Sequence, residues 1–277
     1  MGINEAYDTP EGWHAALAAL AWQVDLGVGD VTLDAPVNRY DRVEVAREGG
    51  TVPVSLPVTA AAGAAAAPVA VSFDVAVVAA REAAGAAMSL ADLRSALAAF
   101  EHCEIRQGAR SLVFGDGNPS ARVLILGEAP GSEEDREGRP FVGPAGQLLD
   151  KMFAAIGLSR GAADRGEALY ITNVMPWRPP QSRDPSAEEI AMMRPFVERH
   201  IALVNPDVIV LMGNTPCAAL LGQRGILKLR GVWAAALGKP VLPMTHPANL
   251  LRNPIAKREA WADLLAIRAK LGKADLG

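Results

Sequence analysis

Short apolar runs alternate with longer amphipathic segments along the second two thirds of the chain. Four apolar runs have the length of buried β-strands, and they cover residues 122–127, 168–174, 207–213 and 239–246. Apolar positions at helical spacing predict helices over residues 146–156, 188–204, 215–221 and 254–271. Ser186 with Glu189 predicts a capped helix start, and Asn253 with Pro254 predicts another. Alternating strands and helices are typical of a mainly parallel sheet, so we expect an α/β fold.

The first hundred residues follow a different pattern. Apolar residues at helical spacing near the start predict one amphipathic helix. Residues 48–70 form a tract rich in alanine, glycine and proline, a composition typical of linkers. Helical periodicity returns after Ser89, which we expect to be an N-cap. We therefore place a boundary near Met88, with an N-terminal extension over 1–87 and a second domain over 88–277.

Composition excludes several classes of protein. Half of the 277 residues are hydrophobic, which allows a sizeable core and excludes a mainly disordered chain. The longest weakly charged run, residues 58–80, is mostly alanine and valine but contains Pro68 and Asp74, so we expect no membrane span. The N-terminus has neither the basic nor the apolar region of a signal peptide. Cys103 and Cys217 are too few for a disulfide framework and suit a reducing cytoplasm.

Charge is divided unevenly along the chain. The net charge is −4, but residues 1–96 contain 5 basic and 12 acidic residues, whereas residues 97–277 contain 22 basic and 19 acidic residues. The overall negative charge argues against a protein that holds nucleic acid by bulk electrostatics. The second part, with its small positive excess, is compatible with a polyanionic partner.

An acidic, glycine-rich segment follows the first predicted strand. It begins with Gly127-Glu-Ala-Pro-Gly131 and continues through Glu133, Glu134 and Asp135 to Gly138-Arg-Pro-Phe-Val-Gly143. A glycine-rich turn at this place can also be a degenerate dinucleotide loop. A pyrophosphate cradle uses backbone amides without nearby carboxylates, so the acidic residues here argue against a phosphate ligand.

Two further strand ends carry polar side chains. Asn173 offers a donor and an acceptor that suit the edge of a nucleobase, although an Asn at such a turn can also be a buried cap. His246 can be functional or structural. The other histidines, His14, His102 and His200, fall in helical or flanking segments, and we expect them at the surface. Ligands of parallel sheets lie at the carboxyl ends of the strands, which places Asn173 and His246 near the acidic loop.

Four motifs at these strand ends, in this order, resemble those of family-four uracil-DNA glycosylases. They are Gly127-Glu-Ala-Pro-Gly131, Gly138-Arg-Pro-Phe-Val-Gly143, Asn173 with Arg178-Pro-Pro180, and His246-Pro-Ala-Asn-Leu-Leu-Arg252. The resemblance runs from about Phe100 to Leu271. It implies a three-layer α/β/α fold with a four-stranded, mainly parallel sheet, and a catalytic domain over 88–277. It also implies DNA repair by hydrolysis of the N-glycosidic bond of deoxyuridine, which releases uracil and leaves an abasic site.

The chain departs from this family at the positions of a metal cluster. Family members hold a four-iron, four-sulfur cluster on four cysteines, and the motif alignment places these positions at Phe100, Cys103, Trp177 and Met193. Cluster ligation needs thiolates, or occasionally imidazoles, which phenyl and indole rings cannot replace. We therefore expect no iron–sulfur cluster and no other cofactor, with apolar packing in its place.

The resemblance also assigns tasks in recognising an extruded base. It implies that Phe141 stacks on the uracil ring, that Asn173 pairs with its O4 and N3 edge, and that His246 donates to O2. The implied base pocket is completed by Gly127, Ala129 and Glu134. Glu134 would crowd the C5 edge and exclude thymine, or would be a solvated acid of the loop.

Glu128 is our first candidate for the carboxylate that orients water or stabilises the oxocarbenium-like sugar. Other glycosylase families carry an aspartate one position later, where this chain has Ala129, so a dedicated base is missing there. No motif supplies a lysine for cleavage of the abasic site, so we expect a monofunctional enzyme.

Contacts with DNA are implied after His246 and after Asn173. Leu250 or Leu251 would be the wedge that holds the gap left by the flipped nucleotide, with the other in the core. The basic residues expected to meet phosphates are Arg178, Arg183, Arg252, Lys257 and Arg258. We expect a monomer that acts on uracil-containing DNA, single- or double-stranded, without sequence preference.

Three other hypotheses stay open at this point. A module that binds uracil or abasic DNA without turnover would keep the same pocket, and single-turnover cleavage separates it from an enzyme. A related group captures uracil DNA covalently through a histidine in the loop after the Asn strand, but residues 178–185 contain no histidine. A nucleotide-binding α/β protein is disfavoured by the acidic loop.

Overall fold

The computed structural model describes residues 73–274. The strands are β1 (Asp116–Gly117), β2 (Val123–Gly127), β3 (Leu169–Asn173), β4 (Val208–Met212), β5 (Ala234–Ala236) and β6 (Lys239–Met244). The helices are α1 (Phe73–Ala86), α2 (Leu90–Ala99), α3 (Ile105–Gly108), α4 (Ser132–Glu137), α5 (Pro144–Ala154), α6 (Ala187–Val204), α7 (Asn214–Leu221), α8 (Ile226–Leu229), α9 (Pro247–Arg252) and α10 (Lys257–Ala274). In this part of the chain, no helix is both long enough and apolar enough to cross a lipid bilayer.

These strands form one sheet with the order β1-β3-β2-β4-β6-β5. The four inner strands run parallel, and their register places Gly127 beside Asn173 at the carboxyl ends of β2 and β3. The predicted four-stranded parallel sheet is confirmed as the centre of this larger sheet. The edge strands β1 and β5 are antiparallel and were not predicted, because two or three residues are too few to show a strand period.

Helices cover both faces of the sheet and form two hydrophobic cores. Along β2, Leu124 and Leu126 lie in the core with α1, α2 and α6, whereas Val123 and Ile125 lie in the core with α5 and α10. Every residue of β2, β3 and β4 is buried. Strands that are buried on both faces have continuous apolar sequences, which is why these runs could be recognised from the sequence.

Two of the three predicted helix caps are confirmed. Ser89 Oγ accepts a hydrogen bond from Asp92 N at 3.1 Å, and Ser186 forms a reciprocal capping box with Glu189. Asn253 makes no side-chain cap bond. It precedes a 3-10 turn over Pro254–Ala256, and α10 begins only at Lys257.

Helix α1 lies on the N-terminal side of the boundary that we predicted near Met88. It packs against α6 through Ala76, Ala80 and Ala84, which are all buried. Arg199 of α6 also donates from Nε to the Ala87 carbonyl oxygen at 2.8 Å. Residues 73–86 therefore share a hydrophobic core with the second domain. The helix predicted near the start of the chain and the linker predicted over 48–70 lie outside the described residues.

Candidate active site at the carboxyl ends of the parallel strands

A cleft of about 250 Å³ opens at the carboxyl ends of the parallel strands. The side chains that give it chemical character are Glu128, Glu134, Phe141, Asn173, Arg183 and His246. Pockets for drug-sized ligands span about 300–1,000 Å³, so this cleft suits one small ring. The four residues that we expected to converge, Glu128, Phe141, Asn173 and His246, all line it. Ala129 lines it as well.

Phe141 forms one wall of the cleft in an unusual backbone conformation. Its φ is +53°, in the left-handed region that residues with side chains rarely adopt. Its ring stacks on the His246 imidazole, with the ring centroids 5.4 Å apart and 30° between the ring planes. Gly127 permits this arrangement, because a Cβ there would clash with the Phe141 ring and with Asn173 Oδ1. The absence of a side chain at Gly127 therefore makes room for Phe141 and Asn173 beside the predicted base pocket.

Asn173 is the buried last residue of β3, and it lines the cleft. Its Oδ1 has no hydrogen-bond partner among the residues that the structure describes. A buried acceptor left unpaired costs about 1–3 kcal/mol, so this oxygen is suited to an N–H group of a ligand. A turn-capping asparagine, the alternative that we considered, would instead engage this oxygen with the backbone.

His246 is the N-cap of α9, and its hydrogen bond at this position determines which ring nitrogen carries the proton in the neutral form. Ala248 N donates to His246 Nδ1 at 3.2 Å, so in the neutral ring Nδ1 is the acceptor and Nε2 carries the hydrogen. Burial lowers the pKa of His246 to about 4, with Arg252 adding to the effect and Glu134 opposing it. At neutral pH the side chain therefore offers an uncharged Nε2–H donor.

Glu128 is held by a residue that the sequence analysis did not single out. Thr215, buried in the first turn of α7, donates from Oγ1 to Glu128 Oε2 at 2.7 Å. Burial raises the pKa of the Glu128 carboxyl, while the Thr215 hydrogen bond lowers it. Thr215 follows the carboxyl end of β4, so the criterion that identified Asn173 and His246 would also have identified it.

Glu134 braces the loop between β2 and α5. Its Oε1 accepts from Val142 N at 3.0 Å and Gly143 N at 2.9 Å, and its Oε2 accepts from Gly131 N at 3.1 Å. The alternative of a solvated loop acid is wrong, because the residue is half-buried and bonded to three backbone amides. Asp135 beside it is also buried and accepts from two backbone amides of the segment before β1.

The two arginines after β3 already have partners. Arg183 forms two hydrogen bonds with Glu189, at 2.8 and 2.6 Å, which raise the pKa of the arginine and lower that of the carboxyl. Arg178 donates from Nη2 to Ser182 Oγ at 3.4 Å, but its buried Nε has no partner among the residues that the structure describes. A phosphate that binds Arg183 would therefore share it with Glu189, and the roles of both arginines remain predictions.

The structure distinguishes the two candidate wedge residues. Leu250 is fully buried in the core with α5 and α10, so its prediction as a DNA contact is wrong. Leu251 is 45 % exposed. The helical turn of α9 points neighbouring side chains in different directions, and only one of them can face the core. Arg252, Lys257 and Arg258 are exposed close by in the chain.

His200 corrects another expectation, since it is not at the surface. It is buried in α6, its Nε2 lies 2.9 Å from the Tyr170 hydroxyl, and its ring stacks on Phe114. Burial lowers its pKa to about 3. Phe196 and Val204 lie four residues before and after His200, on the apolar face of α6, so the sequence pattern already indicated that His200 is buried. His102 is half-buried against Phe100, and His14 lies outside the described residues.

The four positions assigned to cluster ligands lie in one hydrophobic core. Phe100, Cys103, Trp177 and Met193 are all buried there, and the Phe100 ring meets the Phe196 ring edge to face at 5.2 Å. Within residues 73–274, no three histidine, cysteine, aspartate or glutamate side chains are grouped so that they could hold a metal ion. One thiol among four positions does not fit an iron–sulfur cluster.

Comparison with known proteins gives a consistent result. A family model described as the Uracil DNA glycosylase superfamily matches residues 114–265. The type-4 uracil-DNA glycosylase of Sulfurisphaera tokodaii is 36 % identical over 190 residues, which cover 65 % of this chain and 84 % of the relative. That of Thermotoga maritima is 40 % identical over 156 residues, covering 54 % and 77 %.

The type-4 enzyme of Archaeoglobus fulgidus is 34 % identical over 196 residues, which cover 67 % of this chain and 94 % of the relative. The matched family region includes the acidic loop after β2, the end of β3 and the segment after β6, which together form the cleft. The chain therefore belongs to the uracil DNA glycosylase superfamily.

Proposed function

We propose that this protein is a monofunctional uracil-DNA glycosylase of base excision repair. It hydrolyses the N-glycosidic bond of deoxyuridine in DNA, releases uracil and leaves an abasic site. One observation carries the proposal: in a member of this superfamily, Phe141, Asn173 and His246 line a single ring-sized cleft at the carboxyl ends of the parallel strands. The names of its relatives support the same activity.

The base is recognised after the nucleotide leaves the DNA stack. The Phe141 ring offers a flat apolar surface for stacking. The Asn173 amide accepts the N3–H of uracil through the Oδ1 that lacks a protein partner, and it donates from Nδ2 to O4. Cytosine presents an acceptor at N3 and a donor at C4, so it would leave both groups of the amide mismatched, at about 1–3 kcal/mol each.

His246 stabilises the leaving group. As the bond between C1′ and N1 breaks, its electron pair moves onto the uracil ring, and negative charge grows on O2. The neutral imidazole donates from Nε2, because Nδ1 is occupied by Ala248 N. A single donor of this kind, aimed at charge that develops in the transition state, contributes about 3–4 kcal/mol.

Glu128 is the carboxylate available for the sugar side of the reaction. One oxygen is held by Thr215, which leaves the other to orient the water that attacks C1′ and to accept its proton. The ionised carboxylate also favours the positive charge that develops on the sugar.

DNA is held next to the cleft by the segment after β6. Leu251 takes the place of the flipped nucleotide in the stack, since Leu250 is confined to the core. The exposed Arg252, Lys257 and Arg258 contact phosphates, so we expect the affinity for DNA to fall with salt. The enzyme acts as a monomer in the cytoplasm, a location that its two free, buried cysteines suit.

A single-turnover assay tests the proposed function. Protein in excess over an oligonucleotide with one deoxyuridine should release free uracil and leave an alkali-labile site, while otherwise identical oligonucleotides with thymine or hypoxanthine measure base selectivity. The covalent reaction at an abasic site needs an amine, so strand cleavage should require added alkali. Binding of the uracil oligonucleotide without uracil release would identify a non-hydrolytic binding module instead.

We further propose that the enzyme works without an iron–sulfur cluster. Protein purified anaerobically should contain well under one iron atom per chain by elemental analysis, because only Cys103 of the four positions is a thiol. The variant Cys103→Ser should have the same iron content and activity as the unaltered protein. Four iron atoms per chain that are lost in Cys103→Ser would contradict this proposal.

A further inference from the structure

The backbone of Phe141 is held from two sides. On one side, Glu134 binds the amides of the two residues that follow Phe141. On the other side, Arg160 donates from Nη2 to the Phe141 carbonyl oxygen and from Nη1 to the Pro140 carbonyl oxygen, both at 2.9 Å. A left-handed conformation at a phenylalanine is strained and persists only where its surroundings impose it. These contacts supply that constraint.

Arg160 is itself firmly placed. Its side chain is only 15 % exposed, and it forms ion pairs with Asp116 from Nη1 at 3.0 Å and with Asp150 from Nε at 2.9 Å. The guanidinium thus binds two carboxylates and two carbonyl groups through donors in a fixed planar fork. A lysine at this position has one donor centre and cannot reach all four acceptors.

We propose that Arg160 is a positioning residue for base stacking, which acts through the carbonyl groups of Pro140 and Phe141. This inference rests on the proposed function. Arg160 does not line the cleft, so it does not touch the base. It sets the backbone from which the Phe141 ring projects, and thereby the placement of that ring against His246 and the bound uracil.

The variant Arg160→Lys tests this inference. Stacking on an aromatic side chain contributes equally to the bound base before and during cleavage, so KM for the uracil oligonucleotide should rise about tenfold with little change in kcat. Inhibition by free uracil should weaken by a similar factor. Affinity for an oligonucleotide with a tetrahydrofuran abasic site should stay unchanged, because this ligand has no base to stack.

A double-mutant cycle separates positioning from general stability. Arg160→Lys should have no further effect on KM in a Phe141→Ala background, since the ring through which it acts is then absent. Arg122→Lys is a matched control: Arg122 is similarly buried and bonded to Asp207, but it lies at the opposite end of β2 from the cleft. It should lower the thermal midpoint without changing KM for uracil DNA.

Asp150→Asn provides a second variant in case Arg160→Lys folds poorly. Asp150 is 47 % exposed, and the neutral amide of asparagine holds the Nε end of Arg160 more weakly than the carboxylate does, while both carbonyl contacts remain possible. KM should then rise in the same direction by a smaller factor. An unchanged KM in both variants, or additive effects in the cycle, would overturn the inference alone. Failure of the unaltered protein to cleave uracil DNA would overturn the proposed function and this inference with it.

Discussion

Replacing His246 with alanine should lower the single-turnover rate of uracil release by about 100- to 1,000-fold. In the proposed mechanism the loss is large because the half-buried imidazole is a fixed donor to the charge that develops on the leaving base. Affinity for a tetrahydrofuran oligonucleotide should change little, since that DNA contains no leaving group. Rapid-quench measurement of uracil release, with protein in excess, gives the rate directly.

The pH dependence of the same variant adds a second test. The pKa of His246 is lowered to about 4, so the ring stays neutral at higher pH and its protonation cannot limit the rate near neutrality. Burial raises the pKa of Glu128, so activity that needs its carboxylate is complete above that pKa and is lost as the pH falls through it. We therefore expect His246→Ala to keep the acid limb of the unaltered protein.

A matched control for this prediction is His102→Ala. His102 is half-buried against Phe100 and does not line the cleft, so its loss should leave the rate unchanged. Full activity in His246→Ala would show that another group stabilises the leaving base, and the mechanism proposed above would then fail at its main step.

Replacing Asn173 with alanine should lower kcat/KM for uracil DNA by roughly 100-fold or more, while the thermal midpoint stays unchanged or rises. Two hydrogen bonds to the base are lost, at about 1–3 kcal/mol each. The protein itself loses little, because the buried Asn173 Oδ1 has no partner in the described part of the chain. Activity and thermal unfolding, measured on the same preparation, test both halves of the prediction.

The variant Thr172→Val, one residue before Asn173, should have the opposite effects on stability and on base recognition. Thr172 is buried, lies one residue earlier in β3, and donates from Oγ1 to the Phe114 carbonyl oxygen at 2.7 Å. Its replacement should destabilise the fold by about 1–3 kcal/mol and leave base selectivity unchanged. A loss of stability in Asn173→Ala as large as that in Thr172→Val would indicate a structural asparagine, and it would remove Asn173 from base recognition.

The central fold could be predicted because its strands carry the signal of a doubly covered sheet. The predicted strand at 122–127 differs from the observed β2 by one residue, and the helix predicted over 188–204 differs from α6 by one residue at its start. The ends of the strand could be predicted because a strand buried along its whole length is a continuous apolar run, and the start of the helix because Ser186 and Glu189 form a capping box. The edge strand β1 left no such signal, because it spans only two residues.

The sequence alone determined that three of the cleft residues meet. Glu128, Asn173 and His246 each stand at the end of an inner strand or within two residues of it, and parallel strands bring their carboxyl ends to one edge of the sheet. Neither burial nor distance was needed for this conclusion, because strands that run in the same direction have their carboxyl ends at the same edge of the sheet.

Only the tertiary structure decided which side chains hold these residues in place and which of two adjacent leucines is exposed. Arg160 and Thr215 belong to none of the motifs, yet they bind the Phe141 backbone and the Glu128 carboxylate across the fold. Leu250 and Leu251 are identical in type and adjacent in sequence, and only the packing of α9 sends one into the core. Such choices depend on contacts between residues far apart in the chain, which no local pattern of polar and apolar positions encodes.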